Sequence, residues 1–504
     1  MTRPPLSIVV LAAGEGKRMR SDLPKVLHPV AGQPMLARVL DVAARLEPAA
    51  THVVYGHRGD AVRSALGERP IHWVHQAEQL GTGHAVAQAL PAVPDDHQVL
   101  VLCGDVPLIR AETLQQLLEA AGQAVGLLTV TLANPTGYGR VLRDACDGAR
   151  GTCDGGRDAC DGARGTCDGA REASAGAGVA GPAGSPGTVP GMVAGIVEEK
   201  DASAEQRAIR EVNTGVMCLP AGALRGWLAD LDAGNAQGEY YLTDCIARAR
   251  QDGVSVHPVA CHDPWEVQGV NDRAQLAGVE RACQRRQAEA LMCEQGLGLA
   301  DPNRFDLRGI LTVGRDCFID TNVIIEGHVV LGDGVRIGPF TRVVDSHVEA
   351  GATIQAHCEI VDSHVGRDCQ VGPFARLRPG TRLGAAARVG NFVETKQAEV
   401  GPGSKINHLS YIGDAQLGAN VNVGAGTITC NYDGRHKHQT VIGSDSFVGS
   451  NTALVAPVSV GAGVTIGAGT TVRGDIPDDT LAIESGQARK IPGWRPDWAN
   501  NDRE

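Results

Sequence analysis

Branched aliphatic residues recur at every sixth position along much of the chain after about residue 305. The series is Leu331, Ile337, Val343, Val348, Ile354, Ile360, Val365, Val371, Leu377, Leu383 and Val389, and it resumes as Ile442, Val448, Leu454, Val460, Ile466 and Val472. A six-residue period sustained over this length is typical of a hexapeptide-repeat β-helix, whose aliphatic side chains point into a flat-walled prism. The pattern predicts a fold, and a solenoid by itself does not determine a function.

The first 273 residues show a different pattern, in which short apolar runs alternate with helical periodicity. The apolar runs are residues 8–11, 52–55, 99–102, 126–132 and 213–219, and helical segments include 35–45 and 111–121. This alternation predicts a mostly parallel sheet with helices on both faces. Residues 274–296 carry helix formers and end at Gly296, which predicts a linker helix before a solenoid domain at 297–504.

One segment of the amino-terminal region, residues 144–191, breaks the alternation. The sequence DACDGARGTCDG at 144–155 recurs at 158–169, and a Gly/Ala/Ser/Pro tract follows. Such a composition buries too little apolar area to offset its ordering entropy, so we expect a disordered insertion. Its cysteines repeat every seven residues, whereas paired zinc ligands lie two to four residues apart, which makes a metal site the weaker alternative.

Composition narrows the classes of function. The formal net charge of -12 argues against a nucleic-acid-binding protein, which needs a basic face. No apolar run approaches the ~18 residues of a membrane span, so we expect no membrane partner. The 14 cysteines contain no C-x-x-C pair, a distribution that favours a reducing cytoplasm over a disulfide framework.

A candidate phosphate-binding turn follows the first strand, in the sequence IVVLAAGEGKRMRSDLPK at 8–25. Turn amides can point at an anion while Arg18 and Lys25 neutralise it, although a plain surface turn is the competing interpretation. A second glycine loop at 81–83 precedes a helix, and Gly104-Asp105 ends a buried strand. Asp105 is therefore a candidate Mg²⁺ ligand, because ligands bind at the carboxyl ends of parallel strands; a capping aspartate is the alternative.

These motifs, in this order, resemble those of the sugar-nucleotide pyrophosphorylases. The likeness continues through PTGYGR (135–140), GIVEEKDA (195–202), EVNTGV (211–216), GEYYLTD (238–244) and VQGVNDR (267–273). With the hexapeptide repeat behind them, they resemble the bifunctional N-acetylglucosamine-1-phosphate uridyltransferase and glucosamine-1-phosphate N-acetyltransferase family over nearly the whole chain outside 144–191. The implied fold is an α/β Rossmann-like nucleotidyltransferase domain, a linker helix and a left-handed parallel β-helix.

The resemblance implies a uridylyl-transfer site in the amino-terminal domain. A sugar-phosphate oxygen would attack the α-phosphorus of UTP and release pyrophosphate, with Arg18 and Lys25 stabilising the transition state. The implied nucleotide- and sugar-binding residues are Leu11, Ala12, Ala13, Gly14, Lys25, Gln76, Gly81, Thr82, Cys103, Gly104, Asp105, Gly139, Glu198, Asn213 and Asn271. Asp105 and Asn271 would hold Mg²⁺. Cys103 stands where this family often has Tyr.

The six-residue period lapses at 391–415 and again at 424–440. Departures from a regular coil are where a solenoid adds function. The first lapse contains Glu394, Lys396, His408 and Tyr411. With an acid, a cation and a phenol nearby in the sequence, His408 is a candidate general base beside an anionic substrate. An arbitrary histidine is more often structural.

The resemblance makes this region the site that transfers acetyl from acetyl-CoA to glucosamine-1-phosphate. His408 would deprotonate the amine and Glu394 would orient its imidazole. The implied acetyl-acceptor residues are Arg378, Lys396, Tyr411 and Asn422, and the implied acetyl-CoA residues are Ala425, Asn431, Tyr432, Ser450, Ala468 and Arg489, the last in place of a family arginine that is Ser485 here.

Acetylation would precede uridylylation, giving UDP-N-acetylglucosamine for cell-wall and lipopolysaccharide precursors. The family also implies a homotrimer. The alternative function is a nucleotidyltransferase whose solenoid only oligomerises or regulates. The His408 group separates the two, because a purely architectural coil does not need it.

Overall fold

The computed structural model describes residues 4–56, 58–144, 191–484, 486 and 492. They belong to two compact units, one comprising Met1–Glu15 and Val39–Gly269, the other Gly16–Arg38 and Val270–Glu504. The predicted insertion lies outside the described residues over 145–190, as does Arg489. Among the described residues, no helix is long and apolar enough to cross a membrane.

The first unit is built on a mixed sheet. Its strands in spatial order are Val256–Cys261, Val125–Thr131, Glu211–Pro220, Gln98–Cys103, Leu6–Ala12, Ala50–Tyr55 and His72–His75, with Arg140–Arg143 and Val193–Val197 attached. The strand Glu211–Pro220 runs antiparallel to both neighbours, and the other neighbouring pairs along this order are parallel. The predicted parallel arrangement is thus confirmed along this order, where four of the six pairs are parallel, whereas the attached strands pair only antiparallel.

The central strand Leu6–Ala12 explains where this unit can bind ligands. It is almost wholly buried between two parallel neighbours, so its sequence is a continuous apolar run without alternation. Leu11 pairs with Cys103, and the amide of Gly104 donates to the Leu11 carbonyl at 2.9 Å. The loops that follow these two strands therefore leave the same edge of the sheet side by side.

Short helices connect the strands. The α-helices are Met35–Ala44, Gly59–Leu66, Thr82–Ala89, Ala111–Ala121, Ala204–Arg207, Ala221–Ala229 and Asp244–Gln251, and the 3₁₀ turns are Lys17–Met19, Lys25–Leu27, Leu90–Ala92, Pro264–Val267 and Pro302–Arg304. A two-stranded ribbon pairs Pro29–Val30 with Gln33–Pro34. The helices predicted at 35–45 and 111–121 are confirmed within one residue.

The strands Arg140–Arg143 and Val193–Val197 form an antiparallel hairpin whose distal end carries the insertion. The amide of Asp144 donates to the Met192 carbonyl at 2.9 Å, and Arg143 Nη1 donates to the Gly191 carbonyl at 2.9 Å. The chain thus leaves the hairpin and returns to it at one point, which the hairpin itself holds closed.

The second unit contains the linker helix, Arg273–Gln295, which begins at the capping Asp272 and ends at Gly296 with a φ of 70°. The solenoid follows as two sheets. The 11-stranded sheet contains Gly298–Leu299, Phe318–Ile319, Arg336–Ile337, Thr353–Ile354, Gln370–Val371, Arg388–Asn391, Lys405–His408, Asn422–Val423, Phe447–Val448, Thr465–Ile466 and Leu481–Ala482. The 15-stranded sheet contains Phe305–Val313, Val323–Leu331, Arg342–Val344, His347–Val348, Glu359–Val361, Ser363–Val365, Arg376–Leu377, Thr381–Leu383, Glu394–Val400, Tyr411–Leu417, Ile428–Cys430, Thr440–Ile442, Ala453–Val455, Val458–Val460 and Thr471–Val472.

All the solenoid pairings are parallel, so equivalent residues of successive coils form columns. The aliphatic residues of the six-residue period are the core, and Ile337, Ile354, Val371 and Val389 stack in register with at most 1% of each exposed. This is the left-handed parallel β-helix that the period predicts. Its close packing also explains the glycines after the aliphatic positions: a methyl group at Gly332 would lie 2.5 Å from the Ala350 nitrogen.

The hairpin geometry predicts that residues 145–190 can be replaced by a short turn. We expect the thermal unfolding midpoint to stay unchanged or rise slightly, since each halving of a flexible loop returns about 0.6 kcal/mol of closure entropy. Differential scanning calorimetry of the deletion variant measures this. A large fall in the midpoint would show that the insertion is part of the folded core.

Candidate active sites

Two loops of the first unit surround the end of the central strand. Gln79 Nε2 donates to the Ala13 carbonyl at 2.8 Å, which ties the first glycine turn to the segment before the second. Ala12 is buried, Leu11 and Ala13 are half-buried, and Gly14 is exposed. The turn amides are thus held at the surface edge of the sheet, as a phosphate cradle requires.

The second glycine loop is fixed from beneath by Gln76. This side chain is only 3% exposed, and its Nε2 donates to the Gly81 carbonyl at 3.2 Å. Gly81 has a φ of 110°, and a methyl group there would lie 2.6 Å from the Tyr240 carbonyl oxygen. Thr82 Oγ1 accepts from the Leu242 amide at 3.1 Å. The structure brings Gln76, Gly81 and Thr82 together, and the strand-like contact with Tyr240 requires glycine.

Asp105 follows the buried strand Gln98–Cys103 and is half-buried. Burial raises the pKa of the Tyr138 phenol, a hydrogen bond with Gln268 opposes that shift, and the nearby charge of Asp105 adds to it. The Cys103 thiol lies 3.8 Å from the Gly215 carbonyl oxygen. Tyr138 and Gln268 are thus neighbours of the candidate metal ligand that the sequence analysis did not select, although both lie inside quoted motifs.

The three predicted sugar-binding residues of this unit are adjacent. The Asn213 amide donates to the Gly139 carbonyl at 2.8 Å, and a methyl group at Gly139 would lie 3.2 Å from Glu198 Oε1. Glu198 accepts from Thr243 Oγ1 at 2.9 Å. Burial raises the pKa of Glu198 in spite of this hydrogen bond, and neighbouring carboxylates add to the rise. The arrangement offers acceptors at one end of a mostly buried recess.

The predicted cations lie in the second unit. Lys25 Nζ donates to Asn271 Oδ1 at 3.3 Å, and the Asn271 amide donates to Gln275 Oε1 at 2.7 Å. Arg18 is exposed on the turn Lys17–Met19. Gly16 has a φ of 66°, and a methyl group there would lie 2.7 Å from Lys25 Cβ. Lys25 and Asn271 are therefore brought together, whereas Arg18 points its guanidinium into solvent.

Asp105 and Asn271 each carry a donor of the type that suits Mg²⁺. A carboxylate and an amide oxygen are hard donors, and Mg²⁺ is usually bound by one or two such groups together with substrate phosphates. Within the part of the chain that the structure describes, no three His, Cys, Asp or Glu side chains cluster to hold a metal.

The acetyl-transfer residues lie along one corner of the solenoid. His408 pairs with Asn391 of the coil before it, and backbone hydrogen bonds connect His408 to Gly426, Ala425 to Asn451, and Ser450 to Gly469. The residues Asn391, His408, Ala425, Ser450 and Ala468 consequently form one column. The parallel register thus places three predicted coenzyme residues directly beyond the predicted base.

The corner changes character at His408. Below it the rings of Phe340, His357, Phe374 and Phe392 stack with centroid spacings of 4.9, 4.7 and 5.2 Å. Leu409 takes the next place, and Gly426, Asn451 and Gly469 the places after it. The stack of rings therefore ends at Phe392, and Leu409, Gly426 and Asn451 follow it as sequence neighbours of His408, Ala425 and Ser450.

The structure gives His408 and Glu394 different neighbours. His408 Nδ1 lies 2.8 Å from Asn391 Oδ1, whereas Glu394 accepts from Arg378 Nη1 at 2.9 Å and lies 3.7 Å from Arg376 Nη1. A hydrogen bond between Nδ1 and an amide oxygen requires the proton on Nδ1, which leaves the lone pair of Nε2 available. These contacts connect the imidazole to Asn391, and the role of Glu394 in orienting His408 stays a prediction.

The remaining acceptor residues lie beside a protruding loop. More residues separate the paired strands of successive coils at this point, and residues 431–438 form the extra loop. Lys437 of this loop lies next to Lys396, whose hydrogen bond and charge lower the pKa of Lys437. Asn431 is buried and donates to Asp414, whose carboxylate also lies 3.9 Å from Lys396 Nζ. Lys396 thus has both an ammonium group and a carboxylate as neighbours.

Tyr411 lies close to that pair of lysines, since its charge raises the pKa of Lys437 and its Oη is 3.5 Å from Asn431 Nδ2. Asn422 lies in the 11-stranded sheet, paired with Lys405, and therefore on a different face from Lys396. Tyr432 is 60% exposed at the loop's surface.

Comparison with known proteins covers both regions. Residues 8–164 match the MobA-like NTP transferase domain, 307–412 the GMPPB C-terminal domain, and 439–474 the bacterial transferase hexapeptide with six repeats. The bifunctional protein GlmU of Alkalilimnicola ehrlichii is 54% identical over 99% of this chain and 98% of that protein. Those of Marinobacter nauticus and Stutzerimonas stutzeri are 52% and 51% identical over 97% of this chain and 98% of each protein.

The chain belongs to the bifunctional GlmU family. It is an acetyltransferase and uridyltransferase, a function that the sequence motifs predicted. The chain covers nearly the whole length of these bifunctional proteins, solenoid included. The alternative function, in which the solenoid only oligomerises or regulates, is therefore excluded.

The contacts of His408 and Glu394 predict that Asn391 and Glu394 affect different kinetic constants of acetylation. Asn391→Ala should lower kcat of acetylation roughly three- to tenfold, the value of one neutral hydrogen bond, with little change in KM for glucosamine-1-phosphate. Glu394→Gln should leave kcat nearly unchanged and raise that KM, because Arg378 loses its charged partner. Steady-state assay of CoA release measures both. A larger loss of kcat in Glu394→Gln than in Asn391→Ala would show that Glu394, and not Asn391, orients His408.

Proposed function

We propose that the chain acetylates glucosamine-1-phosphate with acetyl-CoA at the solenoid column and then uridylylates N-acetylglucosamine-1-phosphate with UTP in the nucleotidyltransferase region. The observation that carries this proposal is the column of Asn391, His408 and Ala425, because it holds the His408 imidazole against Asn391 and next to the first of the predicted coenzyme residues. The products are CoA, UDP-N-acetylglucosamine and pyrophosphate.

Acetyl transfer begins with deprotonation of the sugar amine by His408 Nε2. The amine nitrogen attacks the thioester carbonyl, the C–S bond breaks, and the proton taken up by the imidazole passes to the departing thiolate. The coenzyme lies along Ala425, Ser450 and Ala468, with Asn431 and Tyr432 as further coenzyme contacts. Glu394 acts through Arg378 as a positioning residue, supported by the 2.9 Å contact between them.

The sugar phosphate is held by Arg378 and by the adjacent Lys396 and Lys437, with Tyr411 and Asn422 as further ligands. The lowered pKa of Lys437 supports this assignment, because two ammonium groups so close repel each other until an anion lies between them. Lys437 is an addition to the predicted acceptor residues, and its role follows from its position on the loop 431–438.

Uridylyl transfer needs no protein nucleophile. The phosphate oxygen of N-acetylglucosamine-1-phosphate attacks the α-phosphorus of UTP, and pyrophosphate leaves in line. Turn amides at Ala13 and Gly14 and the Gln76–Thr82 loop hold the nucleotide, while Gly139, Glu198 and Asn213 hold the sugar. Arg18 and Lys25 neutralise developing charge. Asp105 and Asn271 would hold Mg²⁺, which supplies electrostatic stabilisation of the triphosphate.

We further propose that the enzyme is a homotrimer in the cytoplasm. Hexapeptide solenoids of this kind expose long flat faces that a second copy can cover, which supports an oligomer. The ten cysteines of the described residues are all free thiols, which supports a reducing compartment.

Separation of the two sites predicts opposite losses in two variants of the full chain. His408→Ala should lower acetylation by about 10²- to 10⁴-fold, since it removes the general base, and should leave uridylylation unchanged. Asp105→Ala should lower uridylylation on the order of a hundredfold or more and spare acetylation. CoA release and pyrophosphate release are measured separately on each preparation. Parallel loss of both activities in either variant would contradict separate sites.

A further inference from the structure

Arg140 is a fully buried cation that the proposed mechanism does not use. It is 1% exposed and lies at the start of the hairpin strand Arg140–Arg143. A guanidinium stays charged in proteins, and burial of a charge is costly unless it is paired and hydrogen-bonded. A cation at this depth must therefore be retained by the groups around it.

The contacts of Arg140 reach three chain segments. Its Nη1 donates to the Tyr138 carbonyl, its Nη2 donates to the Glu199 carboxylate, and Nε and Nη2 both lie 3.4 Å from the Arg207 carbonyl. Glu199 also accepts from the Gly137 amide at 3.4 Å. Burial pushes the pKa of Glu199 upward, but the hydrogen bonds of Arg140 and Gly137 outweigh it, and the net shift is downward.

Two of these segments, those of Tyr138 and Glu199, carry proposed sugar ligands. Gly139 lies between Tyr138 and Arg140, and Glu198 immediately precedes Glu199. The two consecutive glutamates face different partners: Glu199 pairs with Arg140, whereas Glu198 accepts from Thr243 and lies against Gly139. Asn213 joins the same group through its amide bond to Gly139.

We propose that Arg140 is a positioning residue for the sugar phosphate in uridylyl transfer. By holding Tyr138 and Glu199 at once, the planar guanidinium fixes the backbone of Gly139 and Glu198 at the spacing that the sugar requires. A lysine cannot reproduce this, because a single ammonium lacks the rigid fork that reaches several acceptors in one plane. The inference rests on the proposed sugar-binding role of Gly139, Glu198 and Asn213.

The test is steady-state uridylylation by the full chain with Arg140→Met and Arg140→Lys. For Arg140→Met we expect KM for N-acetylglucosamine-1-phosphate to rise roughly ten- to hundredfold, because small displacements of positioning groups are that costly, while KM for UTP changes less than about twofold. Arg140→Lys should fall between this variant and the wild type. Acetylation by the same preparations should be unchanged.

A matched control is Arg225→Met, which removes another guanidinium of this unit that bonds Asp95 and the Val93 carbonyl away from the sugar group. It should leave both KM values unchanged. A purely structural role for Arg140 would lower the amount of active enzyme with both KM values unchanged, and that result would overturn the proposal, as would an equal rise in both.

Glu199→Gln provides the second variant if Arg140→Met does not fold. It keeps an oxygen acceptor and removes the charge, so it should raise KM for the sugar phosphate selectively but by less; an unchanged KM would overturn the inference. Wild-type enzyme that releases no pyrophosphate from UTP with N-acetylglucosamine-1-phosphate would instead refute the proposed function, so the two failures are distinguishable.

Discussion

The parallel hydrogen-bond register between successive coils is the constraint on which the acetyl-transfer site depends. Each backbone amide at a corner donates to the coil beside it, so residues separated by one coil become neighbours in a column. Asn391 and His408 meet for this reason alone. The same register stacks the rings that end at Phe392, and it places Ala425 and Ser450 in line beyond His408. Chemistry on a solenoid is thus a matter of which side chain each coil contributes to one corner.

The nucleotidyltransferase region uses a different constraint with a similar result. Parallel strands deliver their carboxyl ends to one edge, and the bond between Gly104 and Leu11 keeps the two loops adjacent. In the second glycine loop, packing is so close that glycine is required at Gly81, where a methyl group would meet the backbone of Tyr240. Buried polar side chains such as Gln76 then fix loops that carry few apolar anchors.

Sequence periodicity predicted the elements well and the contacts less well, for a physical reason. The six-residue aliphatic pattern and the strand–helix alternation report local burial, so the solenoid core and the linker helix were accessible to it. His408 stood out because the period lapses around it. Asn391 was missed because its partnership with His408 spans a whole coil, and the contacts of Glu394 with Arg376 and Arg378 were missed because those arginines come from the preceding coil. Tyr240 and Arg140 were missed because their contacts join segments far apart in the sequence.

The claim that the coenzyme lies along the corner beyond His408 is tested most directly by filling that corner. Ala425 and Ala356 occupy equivalent places on different coils. Ala425 lies on the coil after His408, and Ala356 lies beside the stacked rings, next to His357. Isothermal titration of the full chain with CoA should show that Ala425→Phe abolishes binding, while Ala356→Phe binds with wild-type affinity and both variants unfold at the wild-type temperature. Retention of CoA binding by Ala425→Phe would contradict this account.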